Sequence, residues 1–382
     1  MTPMLNRLHR DERGMSLVFV ALGFMSFLAA ATLAIDVGMF MTARAQAQTA
    51  ADAAALAGAI ALAKDDFNNR STSGPAVQSA LAAARENAVM HRSVDVAASD
   101  VTFPLSPAGL NNRVRVAVRR TAASGTCTGC SGAVPTLLGG IFGVARVDIN
   151  ATATAEAAPT GSVQCAKPFI IPDRWIEQTG NANWFDLVDN HNNLLANPDV
   201  YRPVTSSGYT GYSYADIGQS MMLRAGTGNQ IQPSFYYSWS MGGLTGGSEY
   251  DWNIANCNQS IISIGNLLLM EPGSMVGPTN SGIDDLIARD PNARWDGQRV
   301  VSNQHPSPRV AIIPLYDPVY YATGVQQGRN TDLKVANFLG FFIESRSGNN
   351  VYGRIAPVTG VVSPPGVPVP TGAFPTVIRL VE

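Results

Sequence analysis

Residues Met15 to Ile35, MSLVFVALGFMSFLAAATLAI, run for twenty-one positions without a charged side chain. At about 1.5 Å of rise per residue, a helix of that length covers the roughly 30 Å hydrocarbon core of a bilayer. Asp36 ends the run and Arg44 is the first cation beyond it. Helical composition continues past that point, because Thr42 to Ala63 is mostly Ala and contains no Pro, and Ala is the strongest helix former. Read as one rod, Met15 to Ala63 is roughly 70 Å long, less than half of it in lipid. The remainder is a stalk.

The flanks set an orientation. Arg7, Arg10 and Arg13 precede the span, whereas Arg44 alone follows closely, so the excess of cations places residues 1–14 in the cytoplasm and everything after Asp36 outside. A secretory signal with cleavage near Ala31 to Ala34 is the competing reading. The length of the apolar run and the unbroken Ala pattern behind it favour a retained anchor. The expected location is the inner membrane of a bacterium, crossed once.

Charged residues make up 14% of the chain and the net charge is −2, which leaves no electrostatic basis for nucleic-acid binding. All four cysteines, Cys127, Cys130, Cys165 and Cys257, follow the span, in a compartment where disulfides persist. Cys127-Thr128-Gly129-Cys130 lies among Ser, Thr and Gly without a βαβ pattern, so a local disulfide is favoured over redox chemistry. Cys165 with Cys257 is the natural second bridge. Zinc held by all four would require a convergence that their spacing does not encode.

Beyond the stalk, residues 64–75 are polar and loop-like, and 76–91 form a second helix with Val77, Leu81, Ala84 and Ala88 on one face. Strand alternation follows at 101–105, at 113–119 with Val114, Val116 and Val118 inward, and at 146–156. In the last of these Ile149, Ala151, Ala153 and Ala155 face one way, and Asn150, Thr152, Thr154 and Glu156 face water. The intervening VPTLLGGIFGV, Val134 to Val144, is an apolar turn broken by Gly. Residues 159–164 are an expected linker. From 165 to 382 the five tryptophans and every tyrosine of the chain appear among short apolar runs and frequent Gly and Pro, the pattern of a β-rich domain with long connections. Residues 283–289 are its expected helix, and 361–375 are Pro-rich and extended. The fold class is therefore α+β: a transmembrane helix over 15–35, a helical stalk with a small antiparallel α+β region over 36–158, and a β-rich outer domain.

The N-terminal segment resembles that of the TadG-like proteins of the Flp (Tad) pilus assembly system. The resemblance rests on Arg13-Gly14 before the span, Ile35-Asp36-Val37-Gly38 at its end, and Gln48-Thr49-Ala50-Ala51-Asp52-Ala53-Ala54-Ala55-Leu56-Ala57-Gly58-Ala59 beyond. Gly14, Asp36, Gly38 and Asp52 are the motif positions. The resemblance implies a membrane-anchored, non-enzymatic component with a pilin-like proximal region, whose partners are the membrane and other pilus assembly proteins. It implies no cofactor. The Asp-x-Ser-x-Ser signature of the metal-binding domain found in some TadG-like proteins is absent from this sequence. Phe19 stands where a prepilin junction after Gly14 would want Glu, so no cleavage is expected there.

Two features remain to be placed. Ala47, Ala51, Ala54, Gly58 and Ala61 share one helical face with almost no side-chain bulk, which allows close approach by the chain's own strands or by a partner's helix. Asp36 is either interfacial or paired with a partner's cation. The rival functional class is a surface-anchored hydrolase or carbohydrate-binding protein using the aromatics of the outer domain. Convergent carboxylates in a concave site would mark it. The oxygen-rich turns at 189–193 and 290–297 lack the Gly and Glu of an EF-hand loop and read as turns, with calcium the alternative.

Overall fold

The structure is a computed structural model and describes residues 13–65, 69–121, 132–180, 184–189, 191, 193–242, 246–304, 306–326 and 332–381. Helix α1 (Arg13–Lys64) runs for 52 residues without interruption, and α2 is Pro75–Glu86. Strands β1 (Val101–Thr102), β2 (Arg113–Arg120), β3 (Val134–Pro135), β4 (Arg146–Val147) and β5 (Ile149–Pro159) follow in the proximal unit. The first half of α1 is apolar around its whole circumference, with the consecutive residues Leu17, Val18, Phe19 and Val20 all exposed. A helix with no polar face has lipid as its natural solvent. Among the described residues, α1 is the one helix long and apolar enough to cross a membrane.

Beyond Asp36 the same helix becomes one-sided. Ala43, Ala47, Ala51 and Ala54 are buried against α2 and against Val114, Val116, Val118, Ala151, Ala153 and Ala155 of the antiparallel β2–β5 pair. Alanine on both the helix and the strand keeps the layers close. Gly58 marks the tightest approach, where an added Cβ would stand 2.8 Å from Val114 Cγ1 and 3.2 Å from Ala80 Cβ. Val114, Val116 and Val118 lie inward as their alternation requires, and Ile149 to Ala153 keep the expected two-residue period.

The outer unit consists of β6 (Ser162–Val163), β7 (Phe169–Pro172), β8 (Ser220–Ala225), β9 (Phe235–Ser238), α3 (Gly247–Ala255), β10 (Ile262–Ser263), β11 (Leu267–Leu269) and α4 (Val276–Arg289). It continues with β12 (Arg294–Trp295), β13 (Val300–Val301), β14 (Val310–Tyr316), α5 (Pro318–Gln326), β15 (Asp332–Ser347) and β16 (Asn350–Ile355). Six strands close on themselves in the order β15-β14-β7-β9-β8-β16, with β16 pairing back to β15 and β11 extending along the start of β15. The β7–β14 and β8–β9 pairs are parallel and the other four antiparallel.

Ile171, Leu223, Tyr236, Ile313, Phe341 and Val351, one from each strand of the ring, share a single buried cluster with Ile254 of α3 and Ile283 of α4. Closure removes the exposed sheet edges that an open sheet would leave. Gly340 permits the crossing of β15 with the chain after β16, since a Cβ there would collide with the Ala356 carbonyl.

Three expectations are corrected. Residues 159–164 are not a linker: Thr160 to Val163 are buried, and β6 pairs with β10. The last strand, β17 (Thr376–Leu380), leaves the outer unit and pairs with β5, so the proximal sheet reads β1-β2-β5-β17 and the boundary at 165–382 fails at its C-terminal end. The chain thus crosses between units twice, and the crossings are stitched together where Thr160 N–H donates to the Pro375 carbonyl at 2.9 Å and Val361 N–H to that of Ser162 at 3.0 Å. Third, Thr154 and Glu156 do not face water. Glu156 is buried beside β17, paired with Arg113 at 3.3 Å and Arg379 at 3.5 Å. In the outer unit the expected helix begins earlier, at Val276, and α3 and α5 are helices beyond the one the sequence pattern marks.

Candidate functional site at the membrane exit

The apolar turn between β3 and β4 folds as a hairpin. Val134 pairs with Val147 and Pro135 with Arg146. Thr136 N–H donates to the Ala145 carbonyl and its hydroxyl to the Val144 carbonyl, at 3.0 and 2.7 Å. The tip tightens into a 3-10 turn over Gly139–Phe142, closed by Gly143 at φ +83°, a conformation that glycine adopts without steric cost.

That turn begins on Asp36. The carboxylate accepts the Leu137 N–H at 2.8 Å, the Leu138 N–H at 3.3 Å and the Gly139 N–H at 2.7 Å, and Asp36 is only 5% exposed. Three orphan amides at the start of a helical turn are a natural anion site, and hydrogen bonds to a charged acceptor contribute roughly 1.5–3 kcal/mol each. Neither sequence reading of Asp36 describes this. The group is neither merely interfacial nor waiting for a partner's cation; it ties the hairpin to the helix where the apolar run ends.

Of the other motif positions, Gly14 lies in the first turns of α1, and a Cβ at Gly38 would meet no described residue within 4 Å beyond its own stretch of helix. Asp52 accepts a hydrogen bond from the Gln48 amide at 2.8 Å, and the same amide reaches the Thr152 carbonyl at 3.2 Å, linking stalk to sheet. The face expected to receive a partner's helix is already filled. Ala47, Ala51, Ala54, Gly58 and Ala61 are all buried within this chain. Small residues let the β2–β5 pair and α2 approach, so these five positions are spent on packing within the chain.

Cys165 and Cys257 are disulfide-bonded, 92 residues apart, which removes the reading of zinc held by all four cysteines. Cys127 and Cys130 lie outside the described residues. Among the described residues no three His, Cys, Asp or Glu side chains gather as a metal-binding group. The carboxylates of the two oxygen-rich turns are engaged within the protein: Asp290 accepts the Ser302 and Ser307 hydroxyls, both at 2.6 Å, and the others hold backbone amides. Asp189 accepts the His191 and Asn193 amides at 2.8 and 2.9 Å, and Asp296 accepts those of Gln298 and Arg299, both at 2.9 Å.

A cleft of about 820 Å³ lies between the end of α1 and the barrel, lined by Lys64, Asp65, Lys167, Arg289, Arg299 and Gln304 among others. Among the described residues its one carboxylate, Asp65, pairs with Arg299 at 3.0 Å. Lys167 Nζ donates to the Ile254 and Asn256 carbonyls at 2.5 and 3.0 Å, and Arg289 to that of Ala255. These cations cap the C-terminus of α3, where the helix dipole favours positive charge. Burial, with the nearby Arg289 charge, pushes the Lys167 amine down to about 8. Among the described residues this cleft brings together no pair of carboxylates of the kind a glycoside-cleaving site uses.

Elsewhere Asp173 is fully buried at the end of β7 and accepts the Tyr209 and Tyr201 hydroxyls at 2.8 and 3.1 Å and the Arg174 and Tyr212 amides at 2.9 and 3.2 Å. Burial pushes its carboxyl up to about 6, against the pull of those donors. Asn337 of β15 in turn holds the Tyr209 hydroxyl at 2.9 Å. The cluster fastens the long 173–216 connection to the barrel.

Neither curated proteins nor solved structures give a match to this chain. Residues 14–61 match the family model described as "Putative Flp pilus-assembly TadE/G-like", and the fully apolar half of α1, Asp36 and the packed Ala face all fall within that match. The N-terminal helix, long and apolar enough to cross a membrane, is thus similar over residues 14–61 to the TadE/G-like segment of Flp pilus assembly.

Proposed function

We propose that the protein is a membrane-anchored, non-enzymatic component of Flp/Tad-type pilus assembly, in a minor-pilin-like or scaffold role, acting by docking to other pilus or envelope components. One observation carries the reading: the TadE/G-like segment is a single helix whose first half suits lipid and whose second half is the core of a folded unit. Anchor and platform are therefore one rigid element. The barrel is joined to that platform by two stitched crossings and by the Arg299–Asp65 pair, through which a load on the barrel passes to the membrane anchor. The cation excess before the span supports a cytoplasmic N-terminus and an extracytoplasmic barrel, in the inner membrane. Since the Ala face is occupied, partner contacts fall to the barrel surface and to the lipid-exposed part of α1.

The experiment is a pull-down of the full chain from detergent-solubilised membranes of a piliated bacterium that carries it. Recovery of pilus-assembly proteins, lost when residues 165–375 are replaced by an unrelated domain, is the expected result. Recovery of none, with pili and assembly intact in a deletion strain, overturns it.

A further inference from the structure

We infer that the 134–147 hairpin is a second membrane contact, which enters the boundary between headgroups and acyl chains of the same bilayer that α1 spans. Its tip cannot stand far from lipid, because it is bonded to Asp36, the first charged residue after twenty-one uncharged ones. The 3-10 turn packs on α1, and Thr32, one turn inside the apolar run, is only 8% exposed and Ala29 and Ala31 are half-buried, whereas Leu28 and Leu33 on the other faces are exposed. The hairpin therefore reaches alongside the span and does not stop at its end.

Its composition suits that depth. From Val134 to Ala145 there is no charged residue. Leu137 is 66% exposed and Val144 49% exposed, on the two arms of the hairpin. In water these would be an uncompensated apolar loop; beside the span they are continuous with its lipid-facing surface. The backbone is prepared for low dielectric as well, since the Leu137, Leu138, Gly139, Gly143 and Val144 amides all have acceptors within the protein. Unsatisfied amides are what normally keep loops out of membranes. Arg146 is exposed at the hairpin's base, at the height where phosphate groups would follow. A hairpin and a helix entering the bilayer at two points would fix the rotation of the protein about the span axis, which a lone helix cannot do.

The test places a nitroxide at Leu137→Cys or Val144→Cys in the full chain, with Cys127→Ser and Cys130→Ser, reconstituted in phosphatidylethanolamine–phosphatidylglycerol vesicles. Collision with oxygen is compared with collision with a water-soluble nickel chelate. Phe24→Cys in the span and Arg115→Cys on the exposed face of β2 serve as references. The expected result is that both hairpin positions favour oxygen, between Phe24 and Arg115. If Phe24 reads as lipid while Leu137 and Val144 match Arg115, the inference is wrong and the anchor stands. If Phe24 itself reads as aqueous, anchor and inference fall together. Immobile labels at 137 and 144, reached by neither reagent, would mean that a second copy of the chain covers the hairpin, which also overturns it.

Discussion

The Asp36 carboxylate and the Gly139 amide meet at 2.7 Å across 103 residues of chain. Through that contact, and through Leu137 and Leu138 beside it, a loop far along the sequence is referred back to the end of the apolar span. Asp36→Ala removes the acceptor of three amides. Hydrogen exchange at Leu137 and Gly139 should then accelerate by roughly tenfold or more, the equivalent of one charge-assisted hydrogen bond, while insertion and the β2–β5 sheet are unchanged. Unaltered exchange at those amides would show that the hairpin holds itself.

The Ala face makes a different prediction from that of a helix waiting for a partner. Ala54→Leu with Gly58→Leu adds bulk where Val114 and Ala80 already stand within about 3 Å of a Cβ position. Overpacking costs about 1–3 kcal/mol per site, so the proximal unit should become protease-sensitive and unfold at lower urea, with the helix still in the membrane. Normal protease resistance together with loss of a cross-link to another protein would return the face to a partner.

Asp173 should make barrel stability fall with rising pH between about 4 and 6. Its carboxyl is pushed up to about 6 by burial, whereas in the unfolded chain it titrates near the ordinary value of about 3.9. As pH rises the unfolded state sheds its proton first and is favoured. The loss, about 3 kcal/mol, is complete above the folded value and absent below the unfolded one. Asp173→Asn keeps an acceptor for Tyr209 without the charge. Its urea-derived stability relative to wild type should therefore rise by about that amount from pH 4 to pH 7, and a constant difference would refute the assignment.

The bridge between Cys165 and Cys257 closes a long loop in the unfolded chain. Replacing both with Ala should lower stability by about 4–5 kcal/mol in the chain-entropy picture. Non-reducing peptide mapping should recover these two linked, and Cys127 linked to Cys130. A free thiol at 165 or 257 would contradict the structure.

Much of the proximal unit is legible because its signals are local. Twenty-one uncharged residues, an unbroken Ala run and the Val114-Val116-Val118 alternation each sit within one element. The membrane-exit site is not legible, because the partners of Asp36 are backbone amides, which every non-proline residue owns and no sequence marks. Closure of the barrel is hidden for another reason. From Val335 to Ile343, β15 is buried on nearly every residue, so it shows a continuous apolar run with no period, and its partners are fixed by pairings such as Phe341 with Ile355 and Val310 with Phe342. Glu156 misleads because its neighbour strand, β17, arrives from the far end of the chain. An alternating pattern announces which residues share a face, not what will later cover it.

That late arrival has a consequence for how the molecule is made. The strand that pairs with the open edge of β5, Thr376–Leu380, is synthesised more than two hundred residues after β5 itself. Domains generally fold as units as the chain emerges. The barrel can close before β17 exists, but the platform at the membrane cannot. Until then the β5 edge and Glu156 stay open, and a chain that stops short keeps them open for good. The fold thus makes the platform wait for the barrel: only a chain synthesised through β17 presents a covered β5 edge to whatever assembles on it.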